Sequence, residues 1–130
     1  MISDVVTSII ICDGRILLLR RSDTMKSMPG LWSGVSGRME RDEAPLERAR
    51  TEICEELGIL ADTLLLRVVG ETITISAEEQ QWHVHPFLFE ATDIDITLNS
   101  ENAEYRWIKP EDITEYDTVP GLDVVLLRLL

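Results

Sequence analysis

At 130 residues, 45% of them hydrophobic and 28% charged, the chain is long enough to bury a proper core and too apolar to stay disordered, so one soluble domain over 1–130 is expected. The net charge of −12 is uneven: residues 1–36 carry four basic against three acidic side chains, and residues 60–130 four against fourteen. That balance argues against non-specific nucleic-acid binding, and without a long apolar run or a basic-then-apolar leader no membrane span or export is expected and the location reads as cytoplasmic.

Val5 to Ile11 is an apolar, β-branched run, Asp13-Gly14 supplies turn chemistry, and Ile16 to Leu19 resumes the strand pattern, which predicts a buried hairpin. It ends in Arg20 and Arg21, with Lys26 close behind, the one basic cluster of the chain. A solvated strand end and a phosphate-contacting role weigh equally there, since arginine suits bidentate phosphate binding. Residues 27–37 hold a Pro-Gly turn, Trp32 and two further glycines, so the backbone can approach a ligand and expose carbonyls. Trp32 reads first as a packing residue, with a substrate contact as the alternative.

A helix follows. Leu46, Ala49, Ile53 and Leu57 recur at helical spacing, Pro45 fits the first turn, and Gly58-Ile59 suits the C-terminal cap. Glu52, Glu55 and Glu56 stand at i, i+3 and i+4 beside this apolar stripe, where like charges repel by roughly a few tenths of a kcal/mol per pair. Such oxygen clusters suit hard divalent cations, while the bland alternative is a solvated acidic face.

After the helix, Leu64 to Val69, Glu71 to Ile75 and Trp82 to Phe89 read as strands. Alternation puts Trp82, Val84, Pro86 and Leu88 on one side and His83, His85, Phe87 and Phe89 on the other. Two histidines on one strand face can bind metal, but without a third ligand ordinary polar residues are the better reading. Ile94 to Leu98 and Ala103 to Ile108 give the last strand signals, Lys109-Pro110 opens a short helix, and Gly121 to Leu130 is a helical pattern apolar nearly all round. That last helix wants deep packing on the sheet or a homodimer contact. Cys12 and Cys54 lack metal or redox spacing and read as buried free thiols.

Taken together, Gly37, Glu43 and Glu52-Ile53-x-Glu55-Glu56-x-Gly58-Ile59 resemble the signature of the Nudix (MutT-like) hydrolases, Gly-x5-Glu-x7-Arg-Glu-apolar-x-Glu-Glu-x-Gly-apolar. One fixed position departs, with Thr51 where the family has arginine. The resemblance implies an α/β fold, an α/β/α sandwich around a mixed sheet, and hydrolysis of a pyrophosphate bond in a nucleoside diphosphate linked to another group. It implies Mg²⁺, with Mn²⁺ as an alternative, held by the Gly37 carbonyl, Glu52, Glu55 and Glu56. The base is then Glu52, or else Glu101 or Glu104, with Arg20, Arg21 and Trp32 as substrate-binding candidates and Glu43 ordering the loop or holding a second ion. Arg48, one turn before Glu52, could replace the missing arginine. Two other readings are a nucleotide- or protein-binding module with weakened catalysis, and an isopentenyl-diphosphate isomerase-like enzyme, which needs an accessible cysteine.

Overall fold

The computed structural model describes residues 2–130. Its frame is two strands of 11 residues, β1 (Ile2–Cys12) and β7 (Gln80–Glu90), which pair in parallel in a continuous register from Ile2 opposite Gln81 to Ile11 opposite Glu90. Each long strand shares its other edge between two neighbours. The first part of β1 pairs with β4 (Val35–Arg38) and its end with β2 (Arg15–Arg21), whereas β7 pairs with β6 (Ile73–Ala77) and then with β5 (Leu65–Val69). β3 (Trp32–Ser33) and β8 (Asn102–Ile108) extend the sheet from β2. Between the named strands all pairings but β1 with β7 are antiparallel, so the sheet is mixed.

The tight turns lie where the sequence puts turn residues. Asp13 and Gly14 both take positive φ, 50° and 76°, as a two-residue hairpin loop requires. Glu78 and Glu79 do the same at 51° and 65° between β6 and β7, so Gln80 and Gln81 already belong to β7, which starts two residues before the expected Trp82.

Helix α1 (Pro45–Leu57) packs on one face of the sheet through Ala49, Ile53 and Leu57, against Val6, Ile10, Leu17, Leu19, Phe87 and Phe89. Helix α2 (Leu122–Leu129) covers the other face with Leu122, Val125, Leu126 and Leu129, against Ile9, Ile16, Leu18, Val84 and Leu88. The α/β/α sandwich is therefore present, and the alternation expected for β7 holds on both faces. Of the remaining apolar residues on α2, Leu127 is 82% exposed. Deleting 122–130 would uncover a whole sheet face, so that variant is expected to elute as aggregate in size-exclusion chromatography.

Residues 32–38 hold β3 and β4, which hydrogen bond to β2 and β1 despite lacking apolar alternation. One expectation needs correction. Ile94 to Leu98 is not a strand: it runs without a ladder partner, with Thr97 N–H bonded to the Leu57 carbonyl (2.9 Å) and Ile94, Ile96 and Leu98 packed beside α1. Its alternation reflects one-sided burial of an irregular segment. No helix among the described residues is long and apolar enough to cross a membrane.

Candidate metal-binding active site

The site forms where α1 crosses the start of the sheet. Pro45 occupies the first helical turn, its missing N–H costing nothing there, and Gly58 ends the helix in the left-handed conformation (φ 69°) with its N–H on the Cys54 carbonyl. These two caps set the ends of the helix, and burial of Ala49, Ile53 and Leu57 sets its rotation, which turns Glu52 and Glu56 inward. Glu52 is 6% exposed and Glu56 3%.

Carboxylate oxygens of Glu52, Glu56 and Glu101 lie within 4.8 Å of one another. Glu101 comes from the turn before β8, held by its carbonyl accepting from Ser22 N–H (2.8 Å) and its own N–H on the Asn99 side chain (3.1 Å). Asn102, next along, donates its side-chain amide to Glu56 Oε1 at 2.9 Å. The second oxygen, Glu56 Oε2, is buried without a hydrogen-bond partner. Burial first, and then the neighbouring Glu52 and Glu101 charges, push the Glu56 carboxyl up to about 9 against the Asn102 bond. Burial raises Glu52 as well, opposed by Arg48 and assisted by the charges of Glu55 and Glu101.

Three carboxylates converging with a buried orphan oxygen leave room for a positive charge. An all-oxygen donor set of this kind fits a hard divalent cation. The Gly37 backbone closes the other side. A Cβ at position 37 would stand 2.2 Å from Glu52 Cδ and 2.4 Å from its Oε2, so only glycine admits the glutamate. Gly37→Ala is expected to keep the fold, seen by circular dichroism, while lowering turnover on the order of 100-fold by displacing Glu52.

Arg48 organises the rim. Its Nε and Nη2 donate to the two oxygens of Glu43 at 2.7 and 3.1 Å, its Nη1 donates to Glu52 Oε2 at 3.0 Å, and Glu40 lies 3.6 Å from Nη2. The Arg48 hydrogen bond, followed by the Glu40 N–H, holds the Glu43 carboxyl below its usual range. Glu43 thus orders the loop before α1. Thr51 turns away, donating its hydroxyl to the Glu47 carbonyl at 3.0 Å from an exposed position.

The other expected site residues distribute unevenly. Glu55 is exposed and reaches Glu52 by charge, not by burial in the cluster. Glu104 is paired with Arg20 at 3.1 Å and with Arg106 at 3.4 Å, and is not part of the carboxylate group. Arg20 and Trp32 stand opposite each other, with Trp32 in the core on the α2 side. Trp32 is 8% exposed, edge-on to Tyr116 (centroids 5.2 Å apart) and capped by the Arg106 guanidinium, so it packs as part of the core. Arg21 lies opposite Asn102 and donates to the Ser27 carbonyl at 3.0 Å.

Asn102 was absent from the sequence expectations, since one asparagine in a polar turn carries no signal of its partner. The thiols also need correction: Cys12 is half-buried and Cys54 exposed. At about 100° per residue, Cys54 projects nearly opposite to both Glu52 and Glu56, so it cannot serve the carboxylate site.

Known proteins place this geometry. A sequence model of the NUDIX domain matches residues 3–129. The nucleoside triphosphatase NudI of Salmonella newport is 32% identical over 114 residues, covering 81% of this chain and 80% of that protein. The crystal structure of a MutT protein from Methanosarcina mazei superposes with a TM-score of 0.78 at 26% identity, covering 97% of this chain and 91% of that one. A MutT NUDIX hydrolase from Burkholderia pseudomallei gives a TM-score of 0.81 at 21% identity, over 100% and 99% of the two chains. With the signature helix, its glycine and its carboxylates assembled on this fold, the chain belongs to the Nudix hydrolase family.

Proposed function

We propose that the chain hydrolyses a pyrophosphate bond of a nucleoside triphosphate or another nucleoside diphosphate derivative, with Mg²⁺ or Mn²⁺ held by Glu52, Glu56, Glu101 and the Gly37 carbonyl and with Glu55 at the open rim. The observation that carries this reading is the convergence of three carboxylates, one of which, Glu56, has a buried oxygen without a partner. When bound, a divalent cation would neutralise pyrophosphate charge and polarise the phosphoryl oxygens.

The protein groups supply the rest. Arg48 fixes one oxygen of Glu52 and burial raises the proton affinity of that carboxyl, which makes Glu52 the proton acceptor for the attacking water. Glu104, neutralised by two arginines, is set aside for that role. The NudI relative points to nucleoside triphosphates as the first substrates to test.

Incubation with Mg²⁺ and a panel of nucleoside triphosphates, ADP-ribose, dinucleoside polyphosphates and nucleotide sugars should release a phosphate-containing product from at least one of them. No product from any member at stoichiometric enzyme would favour the binding-module reading instead.

Protonation of Glu56 gives a second expectation. Its folded value of about 9 exceeds the ordinary 4.5, so the metal-free fold holds a proton that the unfolded chain releases, and stability falls as pH rises between those values. The slope for one proton is about 1.4 kcal/mol per pH unit. A bound cation replaces that proton, so Mg²⁺ affinity should increase up to about tenfold per pH unit across the same window. Thermal shift on adding Mg²⁺ is therefore expected to be larger at pH 8.5 than at pH 6.

A further inference from the structure

We propose that Asp4, His83 and His85 form a second cation site, separate from the glutamate cluster, for one divalent transition-metal ion such as Zn²⁺, Ni²⁺ or Co²⁺. The parallel pairing of β1 with β7 sets Asp4 directly opposite His83, and strand alternation brings His85 to the same face. The structure thus supplies the third ligand that the sequence of β7 lacks. One oxygen, Asp4 Oδ1, lies 3.1 Å from His85 Nε2 and 3.6 Å from His83 Nδ1.

The chemistry of this set differs from that of the glutamates. Two imidazoles and a carboxylate favour borderline cations over Mg²⁺. The other nitrogen of His85, Nδ1, is 3.2 Å from Thr72 Oγ1, a contact that orients the ring in the manner of an outer-shell partner. The Thr72 hydroxyl can serve Nδ1 in either tautomer, donating to it when Nε2–H faces Asp4 and accepting from it when Nε2 is free to take a cation.

Access is open, because the side chains of Asp4 and His83 are 53% and 39% exposed. Among the described residues only the glutamate cluster has three ligand atoms within 4.8 Å of one another, so His83 closes on the ion by a side-chain rotation that its exposure permits. Val6 stands between His85 and Gly37 in the sheet, which separates the two sites by two strand spacings, about 10 Å at the backbone. This site does not depend on the hydrolytic reading.

The chain has two histidines, so imidazole nitrogen resonances report on the site without ambiguity. Zn²⁺ would be titrated into ¹⁵N-labelled Cys54→Ser protein with Mg²⁺ in excess, followed by long-range ¹H–¹⁵N spectra. One equivalent should shift one nitrogen in each ring. Affinity should fall at least tenfold in Asp4→Asn and in His85→Ala, and stay unchanged in Glu52→Gln. Rings that do not respond to excess Zn²⁺, or binding that survives both the Asp4 and the His85 substitutions, would overturn the proposal. Asp4→Asn preserves side-chain shape, and the same spectra verify that it is folded.

Discussion

Glu56→Gln is expected to lower turnover on the order of 10³-fold while making the metal-free protein more stable. The first effect follows because an amide cannot supply the negative charge that completes the carboxylate cluster, and a cation's stabilisation of transition-state charge amounts to several kcal/mol, about tenfold in rate for each 1.4 kcal/mol. The second follows from burial. Gln can still accept the Asn102 hydrogen bond through its carbonyl, and its NH₂ places donors where Glu56 Oε2 now lies buried without a partner. Satisfying a buried polar atom is worth about 1–3 kcal/mol. Thermal melts in EDTA at pH 8, alongside turnover in Mg²⁺, measure both quantities on one preparation. A variant that lost stability as well as activity would mean that the carboxylate is structural, and one that kept its activity would remove Glu56 from the site.

Arg48→Ala should cost about 10 to 100-fold in turnover, the usual penalty for removing a group that orients a metal ligand. Three carboxylates, Glu40, Glu43 and Glu52, converge on this one guanidinium, and Glu52 accepts a hydrogen bond from it at 3.0 Å. Arg48→Lys should recover only part of the loss, since an ammonium cannot bridge the two oxygens of Glu43 and still reach Glu52. Thr51→Arg in the otherwise unchanged chain should do little, because position 51 faces solvent and Arg48 already holds both acids. Steady-state kinetics with varied Mg²⁺ separate the outcomes: an orienting role raises the Mg²⁺ requirement, whereas Arg48→Ala kinetics equal to wild type would show that the ion pairs are ornamental to catalysis. Arg48, three positions before Thr51, thus contacts Glu52 in a chain that lacks the arginine of the signature.

What the sequence disclosed here was local. Pro45, Gly58 and the helical spacing of Ala49, Ile53 and Leu57 each act within a few residues, and together they set the helix and the inward rotation of its acids. The sequence left alternatives open where a residue's surroundings depend on strand register. Glu101 and Glu104 are equally plausible as acids at a strand start, but Glu104 falls opposite Arg20 and is neutralised, while the residue opposite Arg21 is Asn102, whose neighbour Glu101 reaches the cluster. The same limit hid Asp4, which becomes a partner of the histidines only through the parallel pairing of β1 with β7. β4 escaped notice for a different reason: with glycine and serine at its centre, its ladder partners come from β1 and not from any apolar pattern of its own.

The parallel pair at the centre also bears on how the chain folds. Partners in β1 and β7 are 79 residues apart in sequence, and Leu19 and Tyr105 across β2 and β8 are separated by a comparable span. Hairpins at Asp13-Gly14 and Glu78-Glu79 can close early, but joining them requires ordering the long intervening chain first, a loop-closure cost that slows folding. Glu101 meets Glu52 and Glu56 only once β8 has docked on β2, so the carboxylates converge after the slow step. A cation held there would therefore slow unfolding more than it would speed folding.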